Sequence, residues 1–219
     1  MNMSKTKLMT NSLKHRLEVD GVEIAYVQEY IYLGQLVSFQ ARQEKEVARR
    51  TENAWKSYWS MGDIMKGNLP LTLKRKLMDV CILPILTYGA QTGSLTKHQK
   101  STLKVCQRAM ERSILGVRLS DRIRNSTLRS KTQIADVGQK AASLKWNWAG
   151  HVCRMSDERW AKLTTEWSPL NVNRRRGRPR RRWRDELDAY EKDWPQKALH
   201  RDEWKEGREA FALQWDDHS

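Results

Sequence analysis

The spacing of apolar residues changes once along the chain, and this change limits the fold more than any other feature of the sequence. Before about residue 40, short runs of β-branched and aromatic residues predict strands. From about residue 42 onward, apolar residues recur every three or four positions, the period of one helix face. The sequence therefore predicts a mainly α chain, a helical bundle with a small N-terminal antiparallel β element and α+β overall.

Three short segments make up the predicted β element. Residues 7–10 form a candidate strand, and residues 17–24 form a hairpin whose turn is Asp20-Gly21. Residues 30–34 are rich in aromatic and branched side chains and end at a glycine. An isolated hairpin is marginally stable in water, so we expect this element to join a larger sheet or to pack on the helices.

Prolines and a glycine divide the first half of the helical region. A long helix is predicted from about residue 42 to Gly67, and Pro70 opens the next one. Pro84 should kink or break that second helix, because proline lacks the amide hydrogen and clashes with the preceding turn. Its predicted inward face consists of Leu73, Leu77, Val80 and Leu83.

Cap residues mark the helices that follow. Thr96 and Gln99 predict a capping box, and Gly116 predicts the end of the same helix. Ser120 is a plausible cap for a short basic helix over residues 122–129. A further long helix is predicted from residue 137 to about residue 155, and a last helical region begins near Trp183.

Positive charge is distributed unevenly along the chain. The net charge is +15, and residues 174–184 hold eight arginines and no acid. Residues 185–219 instead carry eleven acids against five lysines and arginines, which leaves residues 1–173 with a charge of +13. A polyanion, RNA or DNA, is the simplest partner for the basic segments.

The arginine run at residues 174–184 is the strongest candidate for a nucleic-acid contact. Gly177 and Pro179 oppose a regular helix, and an extended arginine-dense segment can follow a phosphate backbone or enter a minor groove. Its Arg-Gly-Arg-Pro core resembles an AT-hook; a nuclear-import signal and a solvated linker remain open. The candidate residues are Arg174, Arg175, Arg176, Gly177, Arg178, Arg180, Arg181, Arg182 and Arg184.

A second basic segment precedes residue 132. Arg122, Arg124, Arg129 and Lys131 can face phosphates from one short helix, or they can form a solvated helix face.

The cysteines and one histidine are interpreted as structural. Cys81, Cys106 and Cys153 are odd in number and lack zinc spacing, which indicates reduced thiols in the core of an intracellular protein. His151 can be a ligand or an acid–base group. However, Cys153, two residues away on a helix, would point elsewhere, and a structural role is favoured.

Tryptophans are frequent, and catalytic motifs are missing. The sequence holds ten tryptophans but no GxSxG, Walker A, HExxH or glycine-rich dinucleotide loop. Five tryptophans lie within helical patterns, which predicts that they pack in the core or between helices. They are Trp55, Trp59, Trp146, Trp148 and Trp160. Trp146 and Trp148 lie on different faces of one helix, so one of these two can be exposed.

Five motifs and the arginine run follow one another along nearly the whole chain. The motifs are SKTKLMTN at residues 4–11, YIYLG at 30–34, CILPILTYG at 81–89, MERSILGV at 110–117 and LKWNWAGH at 144–151. This ordered series resembles the C-terminal part of the reverse transcriptases of non-LTR retrotransposons of the RTE type.

The resemblance implies a division of the chain. Lys5 and Lys7 would lie in the last palm motif, and Tyr32, Leu33 and Gly34 would form the primer grip. Residues 1–40 would be the end of the palm, and residues 41–118 would be a helical thumb. The remaining regions would be a helical C-terminal region at 119–166, an arginine-rich linker at 167–184 and an acidic helical tail at 185–219.

The resemblance also implies what the chain lacks. The motif series has no YxDD hairpin and no metal-binding aspartates, so this chain alone should not polymerise, and Mg²⁺ is expected only for the complete polymerase. The expected partners are RNA, DNA and a palm-and-fingers part of the same enzyme, in the nucleus or cytoplasm. Gly93 stands where the family is expected to carry tryptophan, which hints at a degenerate copy. The alternatives are a host-retained AT-hook-like DNA-binding protein and the product of a decayed element.

Overall fold

The computed structural model describes residue 2, residues 5–167 and residues 181–217. The chain divides into two compact units, Met1–Arg49 and Arg50–Ser219. The architecture is mainly α with two small antiparallel strand pairs, as the sequence predicts. Within the described residues, none of the helices combines the length and the apolarity that a membrane crossing requires.

Two hairpins form the β part of the first unit. Strands β1 (Glu18–Val19) and β2 (Val22–Glu23) pair across Asp20 and Gly21, whose φ values of 52° and 74° lie in the left-handed region. Strands β3 (Glu29–Tyr32) and β4 (Gln35–Ser38) pair across Leu33 and Gly34, with φ values of 47° and 74°. The Asp-Gly prediction is confirmed, and the second turn also uses left-handed backbone that glycine accepts without strain.

The predicted strand at residues 7–10 is wrong in extent. Only Leu8 pairs, through a parallel bridge to Tyr26. The Leu8 amide donates to Ala25, and the Leu8 carbonyl accepts from the Val27 amide at 2.8 Å. Because no second bridge continues the pairing of Leu8, residues 7–10 remain an irregular segment.

Helices form the rest of the described chain. Their bounds are α1 Arg42–Ser60, α2 Gly62–Lys66, α3 Leu71–Leu77, α4 Leu83–Thr87, α5 Lys97–Leu115, α6 Asn125–Thr132, α7 Val137–Cys153, α8 Trp160–Glu166, α9 Asp185–Tyr190, α10 Trp194–Lys197 and α11 Arg201–Asp217. Short 3₁₀ turns stand at Ala90–Thr92 and Leu119–Asp121. The most deeply buried side chains of this helical region include Tyr58, Met65, Met78, Ile82, Met110, Leu128, Leu187 and Phe211.

Pro84 disturbs its helix as predicted. The turn before it, Met78–Ile82, is π-helical, and the proline occupies the first turn of α4. A π-helical turn is wider than an α-helical one, so the buried face differs from the one that a regular helix predicts. Met78 and Ile82 are fully buried, whereas the predicted inward residues Leu73 and Val80 are exposed.

Helix α5 follows its sequence signals. The Thr96 hydroxyl accepts from the Gln99 amide, and the Gln99 side chain accepts from the Thr96 amide, which completes the capping box. Gly116 ends the helix in the left-handed conformation at φ 68°. Both predictions are confirmed.

The short basic helix begins later than predicted. Arg122 has φ 51° and Arg124 is extended, so α6 starts at Asn125. Ser120 belongs to a 3₁₀ turn, and its hydroxyl donates to Asp121 instead of capping a helix. A left-handed residue interrupts the helical hydrogen-bond series, which is why Arg122 and Arg124 precede the helix.

Several structural interpretations of large side chains are corrected. Trp59 is 50% exposed and Trp160 is 79% exposed, so neither is a core residue. Cys106 is buried as predicted, whereas Cys81 and Cys153 are half-buried. Periodicity alone did not show that the outer faces of these helices are left uncovered.

Candidate nucleic-acid interface

A basic groove of about 530 Å³ lies between helices α5 and α6. Cationic, polar and apolar side chains share its walls. They are Ser101, Lys104, Val105, Arg108, Arg112, Leu119, Asn125, Ser126, Arg129 and Asp136. Four cations and one carboxylate therefore face this groove.

Helix α5 supplies three of the four cations through a simple repeat. Lys104, Arg108 and Arg112 follow one another at intervals of four residues, which places them along one face of the helix. The capping box at Thr96 and the left-handed Gly116 fix both ends of this helix. Helix α6 supplies Arg129 from the other side.

Asp136 holds two of these arginines and begins the next helix. Its carboxylate accepts hydrogen bonds from the guanidinium groups of Arg108 and Arg129. It also caps α7 by accepting from the Gly138 amide at 2.7 Å. Burial acts to raise the pKa of Asp136, but the two arginines outweigh it and lower this pKa overall. Asp136 therefore stays ionised and fixes both arginines on the floor of the groove.

A second buried carboxylate lies behind Arg108. Glu111 accepts from Arg108 at 2.6 Å and from the amide nitrogen of Gln107 at 2.8 Å. Burial raises the pKa of Glu111, against the opposing charge of Arg108. Arg108 is only 7% exposed, so its main role is to join α5 to the start of α7.

Arg112 is placed differently from Arg108. Its guanidinium donates to the side-chain oxygen of Asn125 at 2.7 Å and to the Arg108 carbonyl at 3.3 Å. These oxygens belong to neutral groups, so the contacts orient the guanidinium without cancelling its charge. Arg112 can consequently attract an anion in the groove.

The rim of the groove carries exposed apolar side chains. Val105 is 65% exposed on α5, and Leu119 is 79% exposed in the 3₁₀ turn before α6. Cations next to exposed apolar groups can contact the phosphates and the sugars or bases of one strand together.

The predicted basic segment only partly belongs to this groove. Arg129 lines it, whereas Lys131 is exposed on α6 and is not among the lining residues. Arg122 and Arg124 are exposed in the segment that leads into α6. Sequence reasoning missed Lys104, Arg108 and Arg112, although their four-residue repeat was available as a signal.

Most of the arginine run lies outside the described residues. This part comprises Arg174, Arg175, Arg176, Gly177, Arg178 and Arg180. Arg181 approaches Glu186 at 3.4 Å, and Arg184 pairs with Asp188 at 2.9 Å. Arg182 is exposed.

The predicted primer grip forms an exposed turn in the first unit. Tyr32 is 62% exposed and Leu33 is 76% exposed, at the tip of the β3–β4 hairpin that Gly34 completes. Lys5 and Lys7 are also exposed, and the Lys5 carbonyl accepts from the Tyr30 hydroxyl at 3.0 Å. The contact of Tyr32, Leu33 and Gly34 with a primer stays a prediction, and so does the contact of Lys5 and Lys7 with nucleic acid.

Potential metal ligands are scattered in the part of the chain that the structure describes. Among the side chains described there, His, Cys, Asp and Glu do not gather in groups of three or more that could hold a metal ion. His151 is exposed and lies beside Trp148, with 5.6 Å between the ring centroids.

Comparison with known proteins points to a mobile genetic element. The chain is 29% identical over 197 residues to an uncharacterized transposon-derived protein of Caenorhabditis elegans. The similarity covers 85% of this chain and 71% of that protein. The relationship indicates a transposon origin. No protein-family profile matches the chain, and no solved structure is detectably similar to it.

Proposed function

We propose that the chain is a nucleic-acid-binding C-terminal part of a retrotransposon reverse transcriptase, which grips template–primer but does not polymerise alone. The observation that carries this proposal is the groove between α5 and α6, which four cations line together with the single carboxylate of Asp136. The cations are Lys104, Arg108, Arg112 and Arg129. An electropositive groove with exposed apolar side chains suits a polyanionic strand.

The cations of the groove divide into two kinds. Arg108 and Arg129 are held by Asp136, so they shape the floor and contribute a reduced charge. Arg112 is oriented by neutral oxygens, so we assign it to phosphate contact. Lys104 lies two helical turns before Arg112 on the same face of α5, and we assign it to phosphate contact from this position in the groove.

The type of recognition follows from the side chains present. Phosphate contacts position a strand without reading its sequence, and apolar contacts with sugars or bases tolerate many sequences. The groove should accordingly bind nucleic acid with little sequence preference. This behaviour suits a polymerase part that must hold any template–primer.

Two further observations support a retrotransposon enzyme as the source. The motif series resembles these reverse transcriptases in order along the chain, and the primer-grip-like residues Tyr32, Leu33 and Gly34 form an exposed turn. The similarity to a transposon-derived nematode protein independently supports a mobile element.

Binding should be measured by fluorescence anisotropy with labelled DNA duplex, RNA duplex and RNA–DNA template–primer of equal length. We expect tight binding of all three at low salt, with affinity that falls as salt rises. Absence of binding to every one of them at low ionic strength would contradict the proposal. A preference for A·T-rich DNA duplex over RNA would instead support the AT-hook-like host protein.

A primer-extension assay separates binding from synthesis. With Mg²⁺, nucleotides and an annealed RNA–DNA template–primer, the purified chain should produce no extended primer. Robust extension by the chain alone would show that the catalytic part is present, against the proposal. An intact reverse transcriptase in the same buffer is the positive control.

A further inference from the structure

The connection between α5 and α6 exposes a leucine on a turn that hydrogen bonds hold in place. Leu119 is 79% exposed and begins the 3₁₀ turn. The Asp121 amide donates to the Arg118 carbonyl at 3.2 Å, and the Arg122 amide donates to the Leu119 carbonyl at 3.1 Å. The Asp121 carboxylate also accepts from the Arg118 amide at 2.8 Å. The exposed leucine therefore stands on an ordered turn.

Arginines flank Leu119 on both sides in the sequence. Arg118 precedes it directly, and Arg122 and Arg124 follow it within five residues. All three arginines are exposed, and none of them forms an ion pair with a side chain in the described part of the chain. The carboxylate of Asp121 accepts from a backbone amide and from the Ser120 hydroxyl. An exposed apolar side chain between cations of this kind suits a polyanion that also offers apolar surface.

The backbone of Arg122 supplies an independent observation at the same turn. Its φ of 51° lies in the left-handed region, which glycine adopts without strain and residues with a Cβ adopt rarely. Strained residues persist only where the surrounding structure holds them, and they cluster at binding sites. The strain in this connection thus falls on the residue that ends the turn of Leu119.

The turn is continuous with the basic groove. Leu119 lines the groove together with Arg112, which we assign to phosphate contact. Val105 of α5 adds a second exposed apolar side chain to the same walls, at 65% exposure. A nucleic acid whose phosphates lie in the groove therefore also meets Leu119.

We infer that Leu119 is a wedge that enters the minor groove of duplex DNA and partly unstacks one base step. Arg118 and Arg122 contact the phosphates on either side. Minor-groove proteins that insert a leucine in this way kink the duplex by about 20–90°. The separated bases offer apolar faces, so the side chain that water surrounds in the free protein becomes buried in the complex. This assignment rests on the proposed function, to which it adds the duplex form and the bend of the bound DNA.

Bending of DNA tests the wedge. A duplex of roughly 20–30 base pairs with a donor dye at one end and an acceptor dye at the other reports a bend as increased energy transfer. Leu119→Ser removes the wedge. Leu213→Ser is the matched control, because it makes the same change at a leucine of α11 that is 58% exposed. Both positions are exposed, so both variants should keep the wild-type thermal unfolding curve.

We expect energy transfer to rise when the wild type or Leu213→Ser binds the duplex, and to rise much less with Leu119→Ser at saturation. Leu119→Ser should also weaken duplex affinity about tenfold or more, since the burial of a leucine side chain is lost. Its slope of log affinity against log salt should stay at the wild-type value, whereas Arg118→Ser should lower that slope by about 0.9. Equal energy transfer with wild type and Leu119→Ser would overturn the inference.

A mismatched duplex separates a wedge from an ordinary apolar contact. A central mismatch lowers the cost of unstacking, so the wild type should bind the mismatched duplex more tightly than the matched one. This preference should persist in Leu213→Ser and disappear in Leu119→Ser. An unchanged preference in Leu119→Ser would count against the wedge. Equal weakening of Leu119→Ser toward single-stranded DNA or toward polyglutamate would also overturn it, the latter by indicating a protein-binding surface.

The same measurements distinguish failure of the wedge from failure of the proposed function. Salt-dependent binding of the duplex without a bend would overturn the wedge and leave the groove assigned to nucleic acid. If neither duplex nor single strand binds at low ionic strength, the proposed function fails, and the wedge fails with it.

Discussion

Trp146 of α7 and Trp204 of α11 stack face to face, with 3.6 Å between their ring centroids and an angle of 3° between their planes. Each indole N–H donates to the backbone carbonyl of the other residue, at 2.7 Å and 3.0 Å. Both side chains are buried, and Phe211 and Tyr190 surround Trp146. This reciprocal pair joins the acidic C-terminal segment to the central helix of the second unit.

Removal of Trp204 should strongly destabilise the second unit. Trp204→Ala loses the stacked ring and leaves a cavity, which typically costs about 3–5 kcal/mol. The free energy of unfolding from urea titration measures this loss. Trp160→Ala is the control, because Trp160 is 79% exposed and its replacement should change stability by less than about 0.5 kcal/mol. Equal stability of the two variants would contradict the role of the pair.

Gly207 allows α11 to approach Trp146. A Cβ at this position would lie 2.8 Å from Cζ2 of Trp146, so Gly207→Ala must displace the ring or the helix. We expect a loss of about 1–3 kcal/mol in the free energy of unfolding, although alanine favours helices. Gly62→Ala is the matched control, since its Cβ would meet Trp59 at an ordinary 3.7 Å. Stabilisation by both substitutions would show that α11 does not need this close approach.

Asp136 should contribute stability only while it is ionised. Asp136→Asn leaves Arg108 and Arg129 without their shared carboxylate, and loss of one partner of a buried ion pair costs about 3–5 kcal/mol. The arginines lower the pKa of Asp136 overall, so this contribution is complete above the unfolded value of about 3.9 and falls as pH drops through the lower folded value. Urea midpoints of both proteins between pH 2 and 6 should therefore converge at the acidic end. A difference between the two urea midpoints that stays constant from pH 2 to 6 would contradict the stabilising role of the ionised Asp136 carboxylate.

Lys100 should also make stability rise with pH, in this case in the alkaline range. Burial lowers its pKa to about 8, against the attraction of Glu186. The unfolded chain holds this proton up to about pH 10.4, so between these values unfolding takes up a proton and stability rises with pH. Comparison of wild type with Lys100→Met by urea unfolding should show a steeper rise in the wild type, because the variant keeps only Lys145, whose pKa burial also lowers. Parallel curves of unfolding free energy against pH for the two proteins, from pH 7.5 to 10.5, would contradict the lowered pKa of Lys100.

Local signals explain which parts of the fold were predictable. The turn at Asp20-Gly21 and the capping box of Thr96 and Gln99 depend on neighbouring residues, so the sequence contains the whole cause. The exposure of Trp59 and Trp160 depends on which helices cover them, and periodicity carries no such information. Arg122 lies in a basic segment that was predicted to be helical, yet its left-handed backbone moves the start of α6 to Asn125.

The candidate sites were predictable to different degrees. Arg129 followed from its basic segment, and the row of Lys104, Arg108 and Arg112 could have been read from its repeat of four. The buried ion pair between Lys145 and Glu186 could not have been predicted, because the two residues are separated by 41 positions and charged helical residues are usually solvated. Long-range pairing of this kind depends on the tertiary packing alone.

The salt dependence of nucleic-acid binding tests the central claim most directly. The double variant Lys104→Ser/Arg112→Ser removes both cations assigned to phosphates, while Arg201→Ser/Lys205→Ser removes two exposed cations of α11. Affinity for one labelled DNA duplex should be measured by anisotropy over a series of NaCl concentrations. Each lost phosphate contact lowers the slope of log affinity against log salt by about 0.9, so the groove variant should lose roughly two in slope and bind more weakly. The α11 variant should keep the wild-type slope. Identical slopes for all three proteins would contradict the assignment of the groove to nucleic acid.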